Sequence, residues 1–319
     1  MPSSPRPVGL PAPDRCLVMG ILNVTPDSFS DGGRFSGLAD AVEHGVSMAA
    51  AGADVVDVGG ESTRPGAERI PADEELCRVL PVIAELAAAG LSTTIDTTRA
   101  AVAGAALAAG AVGVNDVSGG LADPDMSRVV AEAGCPWVLM HWRGHSREMA
   151  QLASYGDVVV DVRDELRCRV DAALSAGVRA EQLIVDPGLG FAKTAEHNWA
   201  LLDRLDVLLD LALPVLIGAS RKAFLGRLLA DRAGVARPPD QRDDATVAIT
   251  TMVAELGVWG VRVHEPAANA DAVKVVAAAS AVRTRTRAEP APVPAPAPVQ
   301  APAPAPLPVE ASGEPIGQQ

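Results

Sequence analysis

Cysteine is scarce in this sequence, and the four that occur do not cluster. Cys16, Cys77, Cys135 and Cys168 form no CxxC pair. Neither a disulfide framework nor a cysteine-based zinc site is expected, and reduced thiols in the cytoplasm are the simple reading. Aromatic residues make up only 3% of the chain. Ala, Val and Leu must then fill the core, which suits a helix-and-sheet protein better than an all-β one. No apolar run is long enough to span a membrane. The start, MPSSPRPVGLPAPDR, has no apolar stretch of the secretory kind. Positive charge is also short: 27 Lys and Arg stand against 40 Asp and Glu, for a net charge of −13. Nucleic acid requires a basic footprint, and a membrane surface requires a basic amphipathic stretch. Neither partner fits, and any bound anion must be held by a few locally placed cations.

What remains is ample apolar material: 48% of 319 residues, enough for one large core or two ordinary ones. The two ends differ from the middle. Residues 1–15 are rich in Pro, Ser and Gly and are expected to be disordered. Residues 288–319 carry ten of the 26 prolines, with no Lys, Arg or aromatic. Such a tail cannot bury enough apolar surface to offset its ordering, and it reads as disordered and partly polyproline-like. It is either an inert tail or a ligand for a Pro-binding domain.

Between the ends, residues 16–287 alternate short apolar runs with Ala/Leu-rich helical patterns. The runs are CLVMGILN (16–23), DVVDV (54–58), STTID (92–96), VGVND (112–116), WVLMH (137–141), LIVDP (183–187), PVLIG (214–218) and GVRVH (260–264). Each is apolar through its length, as a strand buried on both faces should be. Helical patterns follow, for example at 38–52, 72–90 and 99–110, with Pro81 expected to bend the second. Eight strand-then-helix units predict a single-domain α/β TIM (β/α)8 barrel. An open doubly wound sheet is the competitor, but GxGxxG is absent after the first run.

In such a barrel the chemistry lies at the C-terminal ends of the strands. Here those ends carry Asn23, Glu61 with Thr63 and Arg64, Asp96, Asn115 with Asp116, His141, Asp186, Ser220 with Arg221 and Lys222, and Arg262 with His264. A strand-end Asp can simply cap the next helix. Asp96 and Asp116 are both open to that reading, and for Asp116 it is the favoured one. Polar groups on all eight strands converging on one mouth point instead to a small polar ligand held by many hydrogen bonds. Asp96, Asn115 and Asp186 suit a flat heterocycle with an amidine-like edge, as in a pterin. Asn23, Arg262 and His264 could hold an anion, with Asn23 also an oxygen ligand for Mg²⁺. A structural ion pair from Arg262 to a rim carboxylate is the lesser alternative. Two long Gly-bearing loops, 23–37 and 59–73, are the usual material of lids. Phe29, in the first, either packs on a substrate or pins the loop.

Together these segments resemble the dihydropteroate synthases. MGILNVTPDSFSDGG (19–33) and DVGGESTRPGA (57–67) look like that family's two long signatures. TIDT (94–97), NDVSGG (115–120), MHW (140–142), DPGLGFAK (186–193), GASRKAFLG (218–226) and RVHE (262–265) follow in the family's order. The likeness covers roughly residues 16–285, and VLMHW and HNWA look actinobacterial. It implies a cytoplasmic, homodimeric transferase of folate biosynthesis and a sulfonamide target. Such an enzyme condenses 6-hydroxymethyl-7,8-dihydropterin diphosphate with p-aminobenzoate by an SN1-like route, with Mg²⁺. Carried over by position, Asp96, Asn115, Asp186 and Lys222 would hold the pterin, with Arg262 stacking beside it. Asn23, Arg262 and His264 would hold the diphosphate. Phe29, Thr63, Arg64, Pro65, Phe191, Ser220 and Lys222 would form the aminobenzoate site, with Asp31 also on the first loop. Asp96, Asp186, Lys222, Arg262 and His264 would carry the catalysis. Three departures stand out: Thr94 where the family usually has Ser, Ala192 where Gly is common, and Glu265 where Asp is frequent. The alternatives are a methyltransferase that shares the pterin groups and a non-catalytic pterin-binding paralogue. The TPDSFSDGG loop and SRK argue against the first, and the presence of Lys222 and Arg262 against the second.

Overall fold

The computed structural model describes residues 6–24, 33–61, 69–144 and 151–288. All eight apolar runs become parallel strands: β1 (Leu17–Asn23), β2 (Val55–Gly59), β3 (Thr93–Asp96), β4 (Gly113–Asp116), β5 (Trp137–Met140), β6 (Leu183–Asp186), β7 (Leu216–Ile217) and β8 (Gly260–Val263). They pair in the order β6-β5-β4-β3-β2-β1-β8-β7. A parallel bridge between Val185 and Val215 joins the two outer strands, so the sheet closes on itself. Among the described residues ten α-helices surround it: α1 (Gly33–Ala50), α2 (Ala72–Ala88), α3 (Ala100–Ala108), α4 (Met126–Ala133), α5 (Val158–Ser175), α6 (Ala195–Asp203), α7 (Asp206–Leu209), α8 (Ala223–Leu228), α9 (Asp243–Leu256) and α10 (Pro266–Ala288). The (β/α)8 barrel expected from the sequence is the observed fold. Pro81 sits inside α2, which continues through it as one helix.

Strand side chains alternate between the two faces of the sheet. One set, Leu17, Met19, Val55, Val138, Ile184 and Leu216, packs together as the barrel's own core. The other set faces the helices: Val56, Val58, Ile95, Val114 and Leu139 on one side of the barrel, and Val18, Val185, Ile217, Val261 and Val263 on the other. Each fully buried Val or Leu contributes about 1.5–3 kcal/mol of transfer free energy. The same parity sorts the polar residues. Asn23, Asp57, Thr94, Asp96, Asn115, Asp186 and Arg262 fall on the inner set, while Asp116 falls on the helix side.

The N-terminal segment departs from the sequence reading. Residues 6–15 are placed on the barrel rather than left without structure. Val8 N donates to Glu181 O at 3.1 Å. Leu10 is buried among Leu17, Met19, Val138 and Trp259. Arg15 pairs with Asp54 at 2.7 and 2.9 Å. Average composition hides one well-placed Leu, which covers the apolar bottom of the barrel. The chain forms two units, residues 1–281 with the barrel and residues 282–319. In the second, residues 282–288 are the end of α10. Residues 289–319 lie outside the described residues, as do Phe29, Asp31, Thr63, Arg64 and Pro65 of the two signature loops.

Candidate active site

The strand register sets one rim level. Asn23 pairs with Gly59, Gly59 with Asp96, and Asp96 with Asn115. Gly59 keeps the space between neighbours open, since a Cβ there would lie 3.5 Å from Asp96 Cβ and 3.8 Å from Asn23 Oδ1.

Arg262 reaches from β8 across the interior. Its Nε donates to Asp57 Oδ2 at 2.6 Å and its Nη2 to Asp96 Oδ2 at 2.6 Å. Asp57 also accepts from Asn115 Nδ2 at 2.8 Å and from Thr94 Oγ1 at 2.5 Å. This carboxylate is fully buried and ties four strands into one network. With its NH₂ given to Asp57, the Asn115 amide has its oxygen left to offer as an acceptor. Thr94 keeps the hydroxyl that a Ser would bring, so that departure from the family pattern leaves the network intact. Burial pushes the Asp96 carboxyl up to about 7; the Arg262 guanidinium opposes the rise, and the Asp57 charge adds to it. Asp186, at the end of β6, is raised by burial and lowered by Lys222; its Oδ1 accepts from Gly188 N at 2.7 Å.

Lys222, which opens α8, donates to Leu189 O and lies 4.5 Å from the centre of the Phe191 ring. Burial pulls its ammonium down to about 8, against the pull of Asp186. Ser220 Oγ accepts from His264 N at 3.1 Å and meets His264 Nδ1 at 2.9 Å. That contact orients the imidazole beside the Arg262 strand. Arg221 does not join the site: its guanidinium makes a two-point contact with Asp243 at 2.8 Å on the outside of the mouth.

The pterin binding enzyme family matches residues 19–264. The dihydropteroate synthase of Mycobacterium leprae is 58% identical over 260 residues, which are 81% of this chain and 92% of that one. A solved Xanthomonas albilineans dihydropteroate synthase with 4-aminobenzoic acid superposes with a TM-score of 0.80 at 43% identity, covering 88% of this chain and 99% of that one. The same organism's enzyme in complex with 7,8-dihydropteroate gives a TM-score of 0.76 at 40% identity, covering 88% and 99%.

The chain belongs to the dihydropteroate synthase family.

Set beside the family pattern, the structure brings Asp96, Asn115, Asp186, Lys222, Arg262 and His264 to one mouth, with Asn23 on the same rim. The helix cap favoured for Asp116 in the sequence is not observed: the residue is structural, but it caps no helix. It accepts from Ser118 N at 2.8 Å, Ser118 Oγ at 2.6 Å and Gly120 N at 2.8 Å, and so shapes the turn after β4. Asp96 is not a cap either, since the residue preceding α3 is Arg99. His141, of opposite parity to the inner set, turns towards α5 and meets Glu165 at 3.0 Å.

Three groups escaped the sequence reading. Asp57 is the first; its signal was a charged residue inside an apolar strand, which must be paired if buried. Lys193 is the second; it ends the 186–193 segment, part-buried, and donates back to the carbonyls of Gly188 and Phe191. The third is the pair Glu75 and Arg99. Arg99 Nη1 donates to Glu61 Oε2 at 2.7 Å and to Glu75, and Nη2 to Ile70 O at 2.6 Å. Thr97 Oγ1 donates to Glu75 Oε1 at 2.7 Å. One arginine thus holds both Glu61, within the second signature, and Ile70, just beyond its end. Nothing local in the sequence marks that pairing.

Proposed function

We propose that this protein condenses 6-hydroxymethyl-7,8-dihydropterin diphosphate with p-aminobenzoate, giving 7,8-dihydropteroate and pyrophosphate. The observation that carries the reading is the buried network in which Arg262 bridges Asp57 and Asp96 beside Asn115. It sets two carboxylates, an amide and a guanidinium at fixed positions in one mouth. Asp96, Asn115 and Asp186 supply the acceptors for the amidine-like edge of the pterin. Lys222 also holds the pterin, and Arg262 stacks beside it.

Asn23, Arg262 and His264 hold the diphosphate. Asn23 offers one neutral oxygen, and no acidic or His/Cys cluster of metal-holding size exists among the described residues. A lone amide oxygen fits Mg²⁺, which retains waters and binds largely through substrate phosphates. When bound, Mg²⁺ would offset charge on the departing pyrophosphate. The C–O bond to pyrophosphate breaks first. The Asp96 and Asp186 carboxylates stabilise the cation left on the dihydropterin, an electrostatic task suited to a preorganised site. Phe191, Ser220 and Lys222 orient the arylamine, together with Phe29, Thr63, Arg64 and Pro65 of the signature loops. The amine nitrogen then attacks the exocyclic carbon and loses one proton to solvent, giving the neutral secondary amine of 7,8-dihydropteroate. Sulfonamides compete for that amine site.

We assign the catalytic barrel to residues 16–287. We place the enzyme in the cytoplasm, where its four free cysteines stay reduced. No helix among the described residues is long and apolar enough to cross a membrane. A homodimer through the late barrel helices is supported by exposed Leu228, Met252 and Leu256 on α8 and α9. The test is pyrophosphate release with pterin diphosphate and Mg²⁺, with and without p-aminobenzoate. Amine-dependent release with dihydropteroate formation is expected. Pterin binding without release would overturn the reading in favour of a non-catalytic binder.

A further inference from the structure

We infer that Lys193 is a positioning residue for the amine site, clamping the loop between Asp186 and Thr194 so that Leu189 O and the Phe191 ring face Lys222. The inference rests on the reading of Phe191 and Lys222 as aminobenzoate groups.

An ammonium has three donors. Lys193 Nζ finds three acceptors: Gly188 O at 3.1 Å, Phe191 O at 3.1 Å and His141 Nδ1 at 2.9 Å. For Nδ1 to accept, the imidazole proton must sit on Nε2, where it points to Glu165 Oε2 at 3.0 Å. Burial and the neighbouring Lys193 pull His141 down to about 4, which keeps the ring neutral and able to accept. Glu165 is in turn paired with Arg143, whose guanidinium lies 3.8 Å over the Tyr155 ring. The Tyr155 hydroxyl donates to Ala192 O at 3.0 Å. Lys193 and Tyr155 therefore hold the loop by its carbonyls at residues 188, 191 and 192, while Asp186 Oδ1 and Asn198 Oδ1 accept from Gly188 N and Gly190 N, each at 2.7 Å.

The loop needs holding. Gly188, Gly190 and Ala192 have φ of 66°, 80° and 48°. Three left-handed residues within five, one of them an alanine, form a shape that persists only when its surroundings over-determine it. A Cβ on Gly188 would lie 2.3 Å from His141 O, so the loop is also pressed against the end of β5. The outcome of this constraint is the pair of contacts to Lys222 through Leu189 O and the Phe191 ring. Lys222 keeps a second hold through the charge of Asp186, whereas Phe191 has none comparable. Loss of the clamp therefore falls mainly on the amine.

Lys193→Met keeps the length of the side chain and removes its donors. Steady-state kinetics in both substrates should show the KM for p-aminobenzoate up about tenfold and the KM for pterin diphosphate within about twofold. Tyr155→Phe, which loses one hydroxyl and preserves the packing, should move the same constant in the same direction by about twofold to threefold. It decides the matter if the methionine variant does not fold. Equal changes in both constants, or a lower melting temperature with both constants unchanged, would overturn the inference. Hydrogen exchange gives a readout independent of turnover. Backbone amides in 188–192 should exchange at least about tenfold faster in Lys193→Met, with β5 and β6 unchanged. Unaltered exchange in 188–192 would refute the clamp. Absence of amine-dependent turnover in the unaltered protein would instead sink the proposed function and leave the exchange result standing.

Discussion

Asp57→Asn is the sharpest single perturbation of the pterin pocket. The substitution keeps the shape and removes the charge. In the intact network the carboxylate accepts from Arg262 Nε at 2.6 Å, Asn115 Nδ2 at 2.8 Å and Thr94 Oγ1 at 2.5 Å. An amide has one oxygen for these three donors, and its own NH₂ must face at least one of them. A charge-assisted hydrogen bond contributes about 1.5–3 kcal/mol and a neutral one about 1 kcal/mol. Arg262 keeps Asp96 at 2.6 Å, so the full penalty of a buried unpaired charge does not apply. The sum is a loss of about 3 kcal/mol, read as a lower midpoint in urea unfolding at unchanged slope. If the guanidinium and the Asn115 amide also shift, kcat/KM for pterin diphosphate should fall about a hundredfold, since each tenfold corresponds to about 1.4 kcal/mol. Binding of the pterin by calorimetry should weaken in parallel. A variant within about threefold of the parent in kcat/KM and within about 0.5 kcal/mol in stability would refute the reasoning. It would mean that Asp96 alone places Arg262.

Other expectations follow from the same geometry. In the proposed pterin site Asp96 would accept the pterin edge as a carboxylate, and burial raises it to about 7. Pterin affinity should therefore fall as pH drops from about 8 to about 6, approaching tenfold per unit below the midpoint; a flat profile by calorimetry would show that the protonated acid binds equally well. Ala192→Gly removes the left-handed alanine at φ 48°. It should leave stability unchanged or raise it by up to about 1 kcal/mol in thermal melts, and a clear loss would show that the position is not strained. Truncation after Ala288 should leave kcat unchanged and the melting temperature within about 2 °C, because the Pro/Ala-rich residues have little apolar surface to bury; a large drop in either would show that the tail contributes to the catalytic unit.

The barrel and most of its rim could be read from the sequence because both are local properties. Apolar runs of strand length give the strands, and polar residues at or just beyond the ends of the runs give the rim. The period of two, applied to the runs, even separates Asn115 from its neighbour Asp116. What local pattern cannot supply is the partner. Asp57 and Arg262 are 205 residues apart in the chain and 2.6 Å apart in space, and only barrel closure brings β2 within reach of β8. The same holds for Lys193 with His141 and for Arg99 with Glu61 and Glu75. It also explains Leu10, whose burial among β1, β5 and the start of β8 no composition window could show. The sequence by itself determined the fold class and the family, and it named the groups proposed to meet a ligand. The tertiary structure alone decided which buried charges hold those groups in place, because pairing a charge inside a barrel depends on distance in space and not along the chain.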